Sequence, residues 1–147
     1  FYVNHPKQVY MDDYAHHPNE ISAALSSIKN KYPDHRYTAI FQPHLYTRTR
    51  DFAPEFAEAL SMVDRLILLD IYPARELPIP GVTSQIIFDD VTAPEKVLIS
   101  KEELLGYVDG LPLGEKEVFV TLGAGDIDRL VGPLAQLLTE KHDKGNA

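Results

Sequence analysis

Short apolar runs alternate along the chain with segments whose apolar residues recur every three or four positions. Gln8 to Met11 is a strand candidate. It is led in by a turn at Asn4-His5-Pro6-Lys7, with Phe1 to Val3 as a possible hairpin partner. A helix begins near Pro18, with Ile21, Leu25 and Ile28 on one face; proline suits the first helical position because its missing N–H has no partner there. Arg36 to Phe41 is a second strand, and Gln42 to Arg50 its loop. A second helix follows with Phe52, Phe56, Ala59, Leu60 and Val63 facing inward. Arg65 to Leu69 is nearly all apolar, as in a strand covered on both faces. Asp70 to Thr83 holds Pro73, Pro78, Pro80 and Gly81 and reads as a long loop, a feature often functional in a compact domain. Ser84 to Val91 is ambiguous. Lys96 to Ile99 is a fourth strand, and Ser100 with Glu103 forms a capping box that opens a helix. Glu117 to Leu122 is a fifth strand, followed by Gly123-Ala124-Gly125-Asp126. The last helical stretch carries Leu130, Val131, Leu134, Leu137 and Leu138, and Pro133 is expected to break or restart it. The polar tail from Lys141 to Ala147 is expected to fray.

Strand–helix alternation with apolar strands predicts an α/β fold, a mostly parallel sheet with helices on both faces. The 147 residues make one domain, 1–147, and 44% hydrophobic with 24% charged residues is ordinary globular composition. No apolar run approaches the roughly 18 residues of a membrane span, so no membrane partner is expected. The net charge of −8 repels a polyanion, and Arg48 with Arg50 is the only basic cluster, so no nucleic-acid partner is expected either. The chain has no cysteine, which removes disulfides, thiolate metal sites and cysteine nucleophiles and fits a cytoplasmic protein. It opens on Phe1 rather than Met and without a signal segment, and is expected to be a piece of a longer protein.

In such sheets ligands bind beyond the carboxyl ends of the strands, which singles out three loops. The first, Asp12-Asp13-Tyr14-Ala15-His16-His17-Pro18, joins a strand to a helix start. Neighbouring residues of an extended segment face opposite ways, so Asp12 and Asp13 should not act as a pair, and one of them can accept hydrogen bonds from a ribose. The bland alternative is that Asp12 or His17 caps the helix. In the second, Gln42 to Arg50, Arg48 is a candidate clamp for a carboxylate or phosphate. His44 can face the same crevice as His16, while Arg50 beside Asp51 reads as a solvated pair. The third, Gly123 to Asp126, resembles a phosphate-binding turn but has Asp128 where the last glycine should stand, and Asp126 would repel phosphate. Tight-turn geometry is the safer reading. There is no P-loop and no nucleophile elbow. Three classes remain open: a substrate-binding domain of a larger enzyme, closing over a nucleotide and a small anion; a metal-dependent hydrolase using His16 or His17, His44 and an aspartate; and a structural interaction domain.

The motif Asp12-Asp13-Tyr14-Ala15-His16-His17-Pro18 resembles the signature opening the C-terminal domain of the Mur ligases, the ATP-dependent amino-acid ligases of peptidoglycan synthesis. Phe41-Gln42-Pro43-His44-Leu45-Tyr46-Thr47-Arg48-Thr49-Arg50 is similar to the member that adds L-alanine. So are Leu69 to Glu76, Pro78-Ile79-Pro80-Gly81 and Thr121 to Ile127. The murein tripeptide recycling ligase shares the first motif and is the nearest rival. The resemblance implies a Rossmann-like domain, the last of three, that closes over ATP and the incoming amino acid. The missing central domain would carry the P-loop, Mg2+ and most of the phosphate chemistry. The implied reaction activates the UDP-N-acetylmuramate carboxylate as an acyl phosphate, which the amine of L-alanine attacks, in the bacterial cytoplasm. Asp13 aligns with a carboxylate expected near the ATP ribose, and Tyr14 and His16 with residues lining the nucleotide and amino-acid crevice. His16, His44 and Arg48 are the residues expected to bind L-alanine, and Asp13 and Tyr14 those expected to bind ATP. All five are positioning groups, and no proton-transfer catalyst is expected in this domain. Some members have arginine directly after the loop histidine, where this chain has Leu45.

Overall fold

Residues 3–5, 8–112, 116–123 and 125–145 are described by a computed structural model, with side chains for residues 9–112, 116–123 and 125–141. The elements in chain order are β1 (Val3–His5), β2 (Gln8–Asp13), α1 (Pro18–Lys31), β3 (Arg36–Phe41), α2 (Tyr46–Leu60) and β4 (Arg65–Leu68). They continue with α3 (Gln85–Phe88), β5 (Glu95–Leu98), α4 (Lys101–Asp109), β6 (Glu117–Leu122) and α5 (Asp128–Gly145). One sheet runs β1-β2-β6-β3-β4-β5. β1 pairs antiparallel with β2, and the other pairs are parallel. The hairpin partner of β2 thus lies at Val3–His5, two residues beyond the expected segment. Phe1, Tyr2, Pro6 and Lys7, on which the expected hairpin and its turn partly fell, lie outside the described residues.

Alternating strand residues build two apolar layers. Ala39, Phe41, Leu66, Leu68, Val118 and Val120 pack with Ile21 and Leu25 of α1, Phe56 and Leu60 of α2, and Ile87 of α3. Tyr10, Ile40, Ile67 and Phe119 pack with Leu104 and Val108 of α4 and Val131, Leu134 and Leu138 of α5. Each fully buried side chain of this size stabilises by about 1.5–3 kcal/mol. At the amino ends of the strands the guanidinium of Arg65 is buried among the elements that start there. Its Nε donates to Glu95 at 2.9 Å and its Nη1 to Thr38 Oγ1 at 3.3 Å, and it stands 3.9 Å from Glu117.

Five expectations change. β2 continues through Asp12 and Asp13, so these two belong to the strand rather than its loop. α2 begins at Tyr46, inside the expected loop, which places Arg48 in its first turn. Phe52 is 37% exposed rather than inward: its φ/ψ of −123°/17° interrupts the helix just before Pro54, where no amide can bond back, and this breaks the 3.6-residue projection. Ser84 to Val91 contains the short helix α3. Pro133 lies within α5 without ending it. That helix starts with three-residue turns, Asp128 N to Gly125 O, Arg129 N to Asp126 O and Leu130 N to Ile127 O, and Val131, Leu134 and Leu138 hold it to the sheet across the proline. The same helix runs to Gly145, with Lys141 Nζ donating to Asp109 O at 2.7 Å, and Asn146 and Ala147 of the tail expected to fray lie outside the described residues.

Neighbouring strands β3 and β6 lead into helices on opposite faces, α2 and α5. Their carboxyl ends therefore part into a crevice, the place where this class of sheet binds ligands.

Candidate functional site

Gln42, the first residue after β3, closes the floor of that crevice. It is 4% exposed. Its side-chain Nε2 donates to Asp126 Oδ1 at 2.6 Å, and its Oε1 accepts the Ile127 amide at 2.9 Å. Gly123 has φ +128°, and a Cβ there would stand 2.6 Å from the Gln42 carbonyl oxygen. A Cβ on Gly125 would meet Gln42 Oε1 at 2.7 Å and the Tyr72 ring at 2.9 Å. These glycines serve close chain approach, as the tight-turn reading expected. Burial pushes the Asp126 carboxyl up, but hydrogen bonds from Lys101 and Gln42 outweigh it and hold it below the usual range. Lys101, bonded to Asp126, is pushed up in turn. Beside this pair lies a cavity of about 220 Å³ lined by Gln42, Leu69, Tyr72, Lys101 and Asp126.

At the end of β2 the two aspartates part, as alternation requires. Asp12 Oδ1 accepts the Thr121 hydroxyl at 2.6 Å, and Tyr10 Oη stands 3.1 Å from the same hydroxyl. Burial raises the Asp12 carboxyl despite the bond from Thr121. Asp13 Oδ1 accepts the Ala15 amide at 2.9 Å, which turns the chain out of the strand. Tyr14 is 65% exposed. His16 Nδ1 lies 2.9 Å from the Tyr14 carbonyl; a carbonyl only accepts, so that nitrogen carries a proton. His17 stands at the N-cap of α1, as the bland reading held. Glu20 reaches back to accept the amides of His16 and His17 at 3.3 and 3.1 Å. The His17 ring meets Phe52 edge-on at 5.7 Å.

Beyond β3 the chain passes through His44, which bridges to Tyr72 of the 70–83 loop. Leu45 N donates to Tyr72 O at 2.9 Å and Tyr72 N to Pro43 O at 2.8 Å, and the two rings stack at 5.7 Å and 19°. Arg48 Nη1 donates to His44 Nδ1 at 3.2 Å. A guanidinium has no acceptor, so that imidazole nitrogen carries a lone pair and the ring proton sits on Nε2. Burial, then the charges of Arg48 and His16, hold the His44 imidazole below its ordinary value. Arg50 pairs with Asp51 at 2.9 Å on the surface, the solvated pair expected of it.

The structure brings His16, His44 and Arg48 to one edge. Tyr14 meets this group through its carbonyl on His16, while Asp13 braces the turn that carries it. Sequence reasoning missed Tyr72, Gln42 and Glu76. Glu76 accepts the Thr47 amide at 3.1 Å and the Thr47 hydroxyl at 2.6 Å. The available signal was α2 itself, whose N-cap is Leu45, a residue with no side-chain acceptor. A metal-hydrolase reading lacks its ligand set: among the described residues no three His, Asp or Glu side chains converge. The Nδ1 lone pair of His44 already accepts from a cation. Among the described residues no helix is long and apolar enough to cross a membrane.

Comparison with known proteins follows the same lines. A protein of Parabacteroides distasonis named UDP-N-acetylmuramate–L-alanine ligase is 55% identical over 141 residues, 96% of this chain and 30% of that protein. One of the same name from Phocaeicola vulgatus is 51% identical over 142 residues, again 96% and 30%. The chain thus spans about 30% of the length of these curated relatives. The crystal structure of UDP-N-acetylmuramate-alanine ligase from Thermotoga maritima superposes with a TM-score of 0.69 at 25% identity, over 99% of this chain and 29% of that one. The architecture is Rossmann-like α/β, as the resemblance implied. The family model "Mur ligase, glutamate ligase domain" matches residues 2–125, and on that match the chain belongs to the Mur ligase family.

Proposed function

We propose that this chain is the amino-acid-binding and ATP-closing domain of a UDP-N-acetylmuramate–L-alanine ligase of the bacterial cytoplasm. The observation that carries the reading is the Arg48–His44 pair at the carboxyl edge of the sheet. Arg48 spends one of its five N–H donors on His44, which leaves a fork for the alanine carboxylate. The Nε2–H of His44, fixed by that bond, offers a further donor. With its carboxylate held, the amine of L-alanine is free to attack the acyl phosphate formed from UDP-N-acetylmuramate and ATP. The new C–N bond displaces phosphate, and the amine gives up a proton.

Asp13 and the exposed Tyr14 ring fit a nucleoside: a carboxylate acceptor and an aromatic face stand together at the end of β2. Among the described residues no three His, Asp or Glu side chains converge into a metal site of the chain's own. Magnesium and the phosphate chemistry belong on this reading to the remaining two-thirds of the ligase.

The test is Arg48→Ala in the complete ligase. Loss of a charge-assisted hydrogen bond, about 1.5–3 kcal/mol, should raise the KM for L-alanine roughly ten- to a hundredfold and leave that for ATP nearly unchanged. An equal rise in both would argue against the clamp. The recycling-ligase reading gains no support: the relatives at 45–55% identity carry the L-alanine name, and the murein peptide ligase of Psychrobacter arcticus, at 17% identity, shows the fold alone.

A further inference from the structure

We infer that Glu76 is a positioning residue for the amino-acid site, capping from the distant 70–83 loop the helix turn that carries Arg48. The inference rests on the clamp reading and deepens it. A helix start leaves its first amides without partners inside the helix, and a side chain at the N-cap normally accepts from them. α2 has Leu45 in that place, with φ +74°, a conformation that favours glycine, and no side-chain cap of its own. Glu76 supplies the missing acceptor across 29 residues of sequence. Its Oε1 takes the Thr47 amide at 3.1 Å and its Oε2 the Thr47 hydroxyl at 2.6 Å. Thr47 immediately precedes Arg48, and Arg48 reaches back one turn to His44. His44 in turn is braced by Tyr72 from the same loop, through a stacked ring and two backbone bonds around it. The loop therefore grips the clamp on both sides, and the carboxylate of Glu76 brings a side-chain charge to that grip. Its negative charge also suits the positive end of a helix. The hydrogen bonds from Thr47 hold the carboxyl below its usual range, so it stays ionised across the neutral region.

The experiment uses the complete ligase, with Glu76→Ala, Glu76→Gln, Thr47→Val and the control Arg48→Ala. KM for L-alanine, KM for ATP, kcat and the melting temperature are measured for each. Glu76→Ala should raise the KM for L-alanine about fivefold, the size of one lost helix cap, with the KM for ATP within about twofold and the melting temperature changed by only a few degrees. Glu76→Gln, which keeps an acceptor for the Thr47 amide, should recover most of the affinity. Thr47→Val should give a smaller rise confined to L-alanine. Equal rises in both KM values, or a fall in melting temperature with no change in their ratio, would overturn the inference in favour of a structural cap. If Glu76→Ala gives no folded protein, Thr47→Val decides: a KM for L-alanine unchanged by it refutes the positioning role. If Arg48→Ala leaves the KM for L-alanine untouched, the clamp reading falls and this inference with it. If Arg48→Ala raises it and neither Glu76 variant does, the clamp stands and only the role of Glu76 is refuted.

Discussion

Proton placement on His44 decides what Arg48 can do. Arg48 donates to Nδ1, so a proton arriving there would set two donors face to face. Burial is the largest cause of the depressed imidazole value, and the neighbouring charges of Arg48 and His16 add to it. Between its folded value and the ordinary one of about 6.5 the unfolded chain binds the proton more readily. The contribution of neutral His44 to stability is therefore present above about pH 6.5 and declines as pH falls through that value. We expect the His44 ring, followed by NMR, to titrate below an unperturbed histidine. Arg48→Ala should move its midpoint upward, because it removes both the repelling charge and the donor that occupies Nδ1. A midpoint that stays put or falls would show that Arg48 does not act on His44. His16, His44 and Arg48 were legible in the sequence because polar side chains at strand ends carry chemical meaning by type and place. Glu76 was not, because its role arises from a defect elsewhere, a helix opened by leucine.

Elements read well wherever local pattern and tertiary packing agree. β3 and β6 run over the residues their apolar runs predicted, and the Ser100–Glu103 capping box forms at α4 as its spacing required. They read poorly where a distant partner or a local break decides. Phe52 turned outward because a non-helical residue ahead of Pro54 resets the helix face. Pro133 failed to end α5 because three buried residues on its inner face bind it to the sheet. The β6–α5 turn shows the same dependence on distant chain: its glycines answer to Gln42, eighty residues earlier, rather than to a phosphate. Gly123→Ala is accordingly expected to cost at least about 2 kcal/mol, since it adds a left-handed-region strain of about 1–3 kcal/mol to a Cβ placed 2.6 Å from the Gln42 carbonyl. Urea denaturation of the chain measures this directly. An unchanged midpoint would mean that the turn relaxes without cost and that the crevice floor is not fixed by close packing.

Across the molecule, the exposed large apolar side chains among the described residues are Tyr14, Phe52 and Leu77. They stand on the β2–α1 turn, on α2 and in the 70–83 loop, around the carboxyl edge of the sheet where the clamp sits. The buried Arg65 network occupies the opposite edge. On the proposed reading this chain positions an amine and supplies no means of activating a carboxylate. Holding a nucleophile in line is worth as much as about 7–11 kcal/mol of barrier, but only against a carbonyl that already carries a leaving group. Free carboxylate has none, and the residues that would create the acyl phosphate are absent from the motifs of this sequence, which has no P-loop. Incubated alone with ATP, Mg2+, UDP-N-acetylmuramate and L-alanine, the chain should release no ADP and form no amide. The complete ligase, run beside it, should do both. Chromatographic detection of the alanyl product with the isolated chain would show that it carries its own activating chemistry, and the division of labour proposed for it would have to be abandoned.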